Sequence, residues 1–181
     1  MPPFSFINQT ETDFFYYILD MIQAYTESTF KAYLSTEDNR IDTSVAKTQI
    51  RHLVKFINDM DGSIDYVYPV ETINNRFTEM AFTYQVNPLT VDMFVGEVHL
   101  LPAGYWKYEV YEVSWRGTVT LNNETAPATE TDVLPIENAN GVVEGLVTKG
   151  KMYLAEKDGT EQVQYNQHES TAGTNYIYYG Q

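Results

Sequence analysis

Residues 104–115 read GYWKYEVYEVSW, and this stretch decides the fold class of the chain. Seven of its twelve residues are aromatic or valine, the types that fit the pleated, half-buried surface of a β-sheet. The preceding Pro-Ala-Gly at 102–104 is typical of a turn. The pattern predicts one long strand of a sandwich or barrel. The stretch contains no nucleophile–base pair and no metal-ligand cluster, so it indicates a protein that packs and binds.

Side chains alternate across a strand, and the alternation here separates two faces. The predicted core face carries Trp106, Tyr108 and Val110, with Glu112 near its end. The predicted contact face is aromatic and charged together, and it carries Tyr105, Lys107, Glu109, Tyr111 and Trp115. From this second face we expect Tyr105, Tyr111 and Trp115 to contact a partner.

The totals bound the class of protein. A chain of 181 residues fits one domain, and it contains no cysteine, which excludes disulfides and thiolate chemistry. The net charge is −14, with 11 basic residues scattered among 25 acidic ones, so we expect no direct nucleic-acid binding. The sequence lacks a basic, apolar leader, and no segment approaches the roughly 18 consecutive apolar residues of a membrane span. We therefore expect no membrane partner.

The N-terminal region carries the one helical period in the chain. Apolar residues recur at three- and four-residue steps and predict a helix over about 12–25, although the aromatic and β-branched residues of 14–18 also suit a strand. We assign residues 1–28 to an N-terminal extension that contacts neighbouring molecules through Phe14 and Phe15.

Beyond this extension the chain alternates between short strands and turns. Strands are predicted at 29–34, 50–58, 64–68, 76–84, 96–101, 105–115, 142–147, 151–154 and 176–179. Turns are predicted at 36–39, 59–62 and 149–150, and a long loop at about 122–140. This spacing predicts one antiparallel, immunoglobulin-like β-sandwich over residues 29–181, without the cysteine–tryptophan–cysteine hallmark. The closing Tyr176, Tyr178 and Tyr179 are further candidate contact residues.

The spacing of the candidate chemical residues does not match that of a catalytic or metal site. Residues 145–152 approach a phosphate-binding loop, but Met152 stands where a Ser or Thr must bind Mg²⁺, so we predict a β-turn. The three histidines are far apart in sequence, although His52 and His99 could meet across a sheet. Glu109 and Glu112 face opposite sides of one strand. We expect no catalytic residue, no metal site and no cofactor, and therefore not an enzyme.

Several segments together resemble a known family. They lie at 53–60, 76–77, 96–100, 104–112, 150–152 and 175–178, and GYWKYEVYE at 104–112 is the most specific of them. They resemble small virion structural proteins of tailed bacteriophages infecting Bacteroidota, including crAss-like phages. The resemblance covers roughly residues 29–181, and the N-terminal region and the Ala/Pro/Thr-rich loop at 122–140 have no counterpart in it.

The resemblance implies a non-enzymatic β-sandwich present in many copies in a phage virion. We expect a capsid auxiliary or decoration protein that binds the major capsid protein and forms homo-oligomers in the particle. The alternative in the virion is a head–tail connector ring or a tail protein, with portal, ring or tail proteins as partners. From another class, a carbohydrate-binding module would stack sugars on Trp106 or Trp115.

Overall fold

A computed structural model describes residues 21–74 and 77–157 of the chain. These residues are mainly β: they form nine strands and four single-turn 3-10 helices, and within these ranges there is no α-helix. In chain order the strands are β1 (Met21–Tyr25), β2 (Phe30–Leu34), β3 (Ile50–Asn58), β4 (Ile64–Val67), β5 (Val70–Ile73), β6 (Thr78–Tyr84), β7 (Glu97–Val98), β8 (Gly104–Ser114) and β9 (Val142–Ala155).

The strands form two sheets. The five-stranded sheet has the order β1-β9-β8-β3-β4, in which only β1 and β9 are parallel. The second sheet has the order β2-β6-β5 with antiparallel neighbours, and β7 pairs in parallel with β6. Strand β8, which contains most of the aromatic stretch, lies at the centre of the larger sheet.

The main core lies between the two sheets. Phe56 and Trp106 from the five-stranded sheet and Met80 and Phe82 from the other sheet are all completely buried in one cluster. The ring of Phe82 meets that of Phe56 edge-on at 5.5 Å and stacks on that of Phe30 at 4.8 Å. Aromatic rings bury large areas and add a favourable ring–ring term, so these contacts hold the sheets face to face as a sandwich.

Several sequence predictions are confirmed. Strand β3 spans the predicted residues 50–58, β2 lies within 29–34, and β8 spans most of 105–115. The predicted turn at 59–62 joins β3 to β4, and the Asn58 side chain accepts a hydrogen bond from the Met60 N–H at 2.7 Å. These segments are the ones in which local sequence and sheet pairing favour the same conformation.

The prediction of a helix over 12–25 is wrong at its C-terminal end, where residues 21–25 form β1. Ile22 and Ala24 face the core while Gln23 and Tyr25 face outward, which is a two-residue period. Pairing with β9 satisfies the backbone of this segment and overrides its local helical period. Residues 12–20 and the predicted strand at 176–179 lie outside the described residues.

The predicted turn at 149–150 is also wrong, because β9 runs through it without a break. Gly150 passes directly over Tyr108: a Cβ atom at this glycine would lie 2.5 Å from the Tyr108 hydroxyl oxygen and 2.7 Å from its ring. The glycine is therefore needed for close approach and not for a turn. Two smaller differences are β5, which was not predicted, and the strand predicted at 96–101, which shortens to β7.

Candidate interaction surface

The two faces of β8 are separated as the alternation predicts. Trp106, Tyr108 and Val110 are at most 2 % exposed and belong to the core between the sheets, which confirms the predicted core face. The opposite side chains lie on what we call the outer face, the side of the five-stranded sheet turned away from the second sheet. This outer face falls into two halves with different surroundings.

One half of the outer face is covered by the chain itself. The covered half consists of Leu53, Tyr111, Val113 and Trp115, and these residues pack in a second cluster with Ala126, Val119 and Leu121 from residues 116–141. The segment that contains the predicted long loop therefore folds back over its own sheet. Within it, Gly141 approaches Trp115 so closely that a Cβ atom would lie 2.6 Å from the indole ring.

The expectation that Trp115 contacts a partner is wrong, because its side chain is completely buried within the chain. Tyr111 is half-buried, and its hydroxyl donates a hydrogen bond of 2.7 Å to the Glu109 carboxylate. Burial, together with this hydrogen bond to Glu109, raises the pKa of Tyr111 above its usual range. Both residues are thus part of the fold at the covered half.

A polar tether fastens the long loop to the sheet. The Lys55 ammonium lies 2.5 Å from one Glu130 carboxylate oxygen, and the Tyr66 hydroxyl donates to the other at 2.5 Å. Burial raises the pKa of Glu130, but the hydrogen bonds from Lys55 and Tyr66 lower it more, so the net pKa lies below its usual value. A further hydrogen bond of 2.7 Å runs from the Tyr68 hydroxyl to the Pro127 carbonyl in a buried position.

The other half of the outer face has no such cover among the described residues. We call it the open half; it consists of Tyr25, Tyr105, Lys107, Lys149, Lys151 and Tyr153. Tyr105 is 55 % exposed, and its ring lies 5.0 Å from the ring of Tyr153 on β9. Lys107 forms an ion pair of 2.9 Å with Asp59 at the end of the sheet. The open half therefore combines exposed aromatic area with positive charge.

Only part of this surface is predicted from the sequence. Of the predicted contact residues, the structure places Tyr105 in the open half and Tyr111 and Trp115 in the covered half, while Phe14, Phe15, Tyr176, Tyr178 and Tyr179 lie outside the described residues. Tyr25, Lys149, Lys151 and Tyr153 were missed. Alternation along a single strand at 149–155 would have found the last three, but the predicted turn at Gly150 concealed it.

His52 and His99 occupy separate surroundings. His52 is buried, with its ring nitrogen Nδ1 3.1 Å from the Glu71 carboxylate, which also accepts the His52 backbone N–H at 2.7 Å. Burial lowers the pKa of His52, yet the nearby Glu71 and Glu112 carboxylates raise it more, so the net pKa is raised. The ring nitrogen Nδ1 of His99 instead donates to the Gln85 carbonyl at 2.8 Å.

The two glutamates of β8 point to opposite sides, as predicted from their spacing. Glu109 lies on the outer face, whereas Glu112 is completely buried and accepts the backbone N–H groups of Ile41 and Asp42 at 3.0 and 2.7 Å. Glu112 thus anchors the connection between β2 and β3. Ser114 donates a hydrogen bond to Glu144 at 2.5 Å.

The described ranges contain no group of three or more His, Cys, Asp or Glu placed to hold a metal ion. Over the same ranges, no helix is both long and apolar enough to cross a membrane. The tryptophans invoked for sugar stacking, Trp106 and Trp115, are both completely buried, which removes the basis of that alternative. No protein-family model, curated protein or solved structure matches this chain.

Proposed function

We propose that this protein is a non-enzymatic structural protein of a tailed-bacteriophage virion, a decoration protein that binds the capsid shell in many copies. The segments that resemble such proteins include residues 104–112, which form most of the central strand β8. The open half of the outer face is the observation that carries the proposal, because it supplies aromatic and charged contact area on a rigid sheet.

We further infer that the sandwich is of the immunoglobulin type. Aligning β2, β3, β4, β5, β6, β8 and β9 with strands B, C, C′, D, E, F and G of that fold supports this inference. The larger sheet then has the order G-F-C-C′ and the smaller one B-E-D, as in immunoglobulin domains. In this alignment the open half lies on the G and F strands and on the added strand β1.

The exposed tyrosines would provide the docking energy. Tyr25 and Tyr105 are 58 % and 55 % exposed, and both project from strands whose backbones are paired on the sheet. Tyrosine loses little side-chain entropy on binding and offers both apolar area and a hydroxyl, which is why interfaces are rich in it. Contacts through Phe14, Phe15 and the closing tyrosines belong to the same proposal.

Rebinding to particles tests this function. Purified protein added to capsids stripped of it should bind again over the shell, and Tyr105→Ala should weaken rebinding about tenfold, the loss of a central aromatic contact. Tyr33→Ala is the matched control, because Tyr33 is 56 % exposed on the other sheet. Binding confined to the portal vertex would replace the decoration role by the connector alternative, and native mass spectrometry would then show a closed ring.

A further inference from the structure

We propose that the open half binds an acidic, extended segment of a partner protein, whose carboxylates pair with Lys107, Lys149 and Lys151. This inference rests on the proposed function, since it specifies the chemistry of the surface that the docking face would meet.

A pair of like charges is the first observation. Lys107 on β8 and Lys151 on β9 are direct cross-strand partners, and both side chains are exposed. Directly opposed residues on neighbouring strands have Cβ atoms about 4.5–5.5 Å apart, and like charges at this distance destabilise a sheet. A bound carboxylate between the two ammonium groups would convert this repulsion into attraction. The arrangement therefore points to an anionic ligand.

The second observation is that two of these lysines have no ion-pair partner among the described residues, although the chain is strongly acidic. Acidic residues outnumber basic ones 25 to 11, and Lys31, Lys47 and Lys55 each pair with a glutamate. Lys149 and Lys151 form no ion pair with any described residue. The cross-strand partner of Lys149 is Glu109, but that carboxylate accepts from Tyr111 at 2.7 Å and lies 3.8 Å from Lys55.

The shape of the site indicates an extended chain. A depression of about 380 Å³ is lined by Lys107, Tyr108, Glu109, Lys149, Gly150 and Lys151. Lys149 and Lys151 are two residues apart on one face of β9, a separation of about 6.6 Å along the strand. Acidic residues at every second position of an extended peptide have the same separation. The rings of Tyr105 and Tyr153 lie beside the lysines and could contact an apolar side chain next to the acidic residues of the peptide.

The charges of the protein also argue against two other ligands of the open half. A second copy of this chain carries a net charge of −14 and repels the first, so it is a poor source of the carboxylates. A nucleic acid carries one phosphate per nucleotide, and three lysines on a strongly acidic protein neutralise too few of these phosphates for binding. An acidic segment meets the lysines locally without requiring a highly charged partner.

A peptide with alternating glutamate and threonine, ten residues long and fluorescently labelled, is the probe. Wild-type protein should raise its anisotropy at 50 mM salt, the signal should weaken at 300 mM, and the matching glutamine–threonine peptide should not bind. Lys149→Gln/Lys151→Gln should weaken binding at least about fivefold, since it removes two of the three charges. Lys31→Gln/Lys47→Gln changes the net charge equally and should bind as wild type does.

Equal binding by the two double variants would overturn the inference. So would a preference of the wild type for polygalacturonate over the glutamate peptide, or self-association that the Lys149→Gln/Lys151→Gln variant abolishes. Particle rebinding separates this from the proposed function. If both double variants rebind stripped capsids equally well, the lysine contacts fail and the decoration role stands. If wild type binds the peptide but no capsid, the decoration role fails and the acidic-ligand site stands.

Discussion

The covered and open halves of the outer face share the central strand β8 and both carry aromatic residues, yet they have opposite surroundings. Trp115 at one end of the β8 region is completely buried, whereas Tyr105 at the other end is 55 % exposed. Both are aromatic residues on the outer face, Tyr105 in β8 and Trp115 directly after it. The difference arises from residues 116–141, which fold over one half only. An aromatic residue on a sheet face thus shows where contact area lies, but not which chain covers it.

This comparison assigns different consequences to the two halves. Side chains of the covered half should contribute to the free energy of unfolding, because water is excluded from them in the folded chain. Side chains of the open half should contribute little to it and much to binding. Substitutions can therefore separate the two roles.

The largest effect is expected for Trp115→Ala. Removal of a completely buried indole should lower the free energy of unfolding by about 3–5 kcal/mol, measured by chemical denaturation. Tyr105→Ala in the open half should change it by no more than about 0.5 kcal/mol. Equal losses for the two variants would contradict the division of the face.

Gly141→Ala tests the contact between the loop and the covered half. The added Cβ atom would lie 2.6 Å from the Trp115 ring and 2.9 Å from Val113, so we expect a loss of about 1–3 kcal/mol from overpacking. In a Trp115→Phe background the smaller ring relieves the clash, and the same substitution should cost less. The Trp115→Phe substitution breaks no hydrogen bond to a described residue, because the indole N–H of Trp115 has no acceptor among them. An identical penalty in both backgrounds would place the strain elsewhere.

Glu130→Gln should loosen the tether of the loop. The ion pair with Lys55 and the hydrogen bond from Tyr66 are largely shielded from solvent, so the loss should be about 1–2 kcal/mol at pH 7. The pKa of Glu130 is lowered on folding, so its contribution is present above the ordinary glutamate pKa of about 4.3 and is lost as pH falls through the folded value. Denaturation of both proteins at pH 7 and pH 2.5 measures this. A wild-type advantage that persists unchanged in acid would refute the tether.

The smallest effect is a gain in stability in the open half. Lys151→Glu replaces a like-charge pair with Lys107 by an opposite-charge pair, which should stabilise the sheet by about 0.2–1 kcal/mol. The melting temperature should rise by about 1–3 °C, while binding of the glutamate–threonine peptide falls. Lys31→Glu, which breaks the pair with Glu79, should instead lower the melting temperature. A lower melting temperature for Lys151→Glu would show that this lysine serves stability.

Local sequence predicted the segments whose neighbours agree with their own preference. The residues of β3 and β8 are rich in β-branched and aromatic types, they pair with each other, and both strands appear where they were expected. The helix predicted to include 21–25 and the turn predicted at 149–150 are wrong, because both segments pair as strands with residues distant in sequence. The second error affected the candidate surface, because the predicted turn separated Lys149 from the strand predicted at 151–154 and so concealed the face that Lys149 shares with Lys151 and Tyr153. The pattern within one segment does not reveal which remote strand it pairs with.

The sequence by itself determined a mainly β chain, a central aromatic strand and the side of that strand that enters the core, because alternation is a property of the backbone. Only the tertiary structure decided which part of the opposite side of the strand is covered and which part is exposed. A loop that follows β8 returns over one half and is tethered there by Glu130, while the parallel pairing of β1 with β9 adds Tyr25 to the other half. These contacts join residues distant in sequence, so the free energy that selects them depends on packing and not on local pattern.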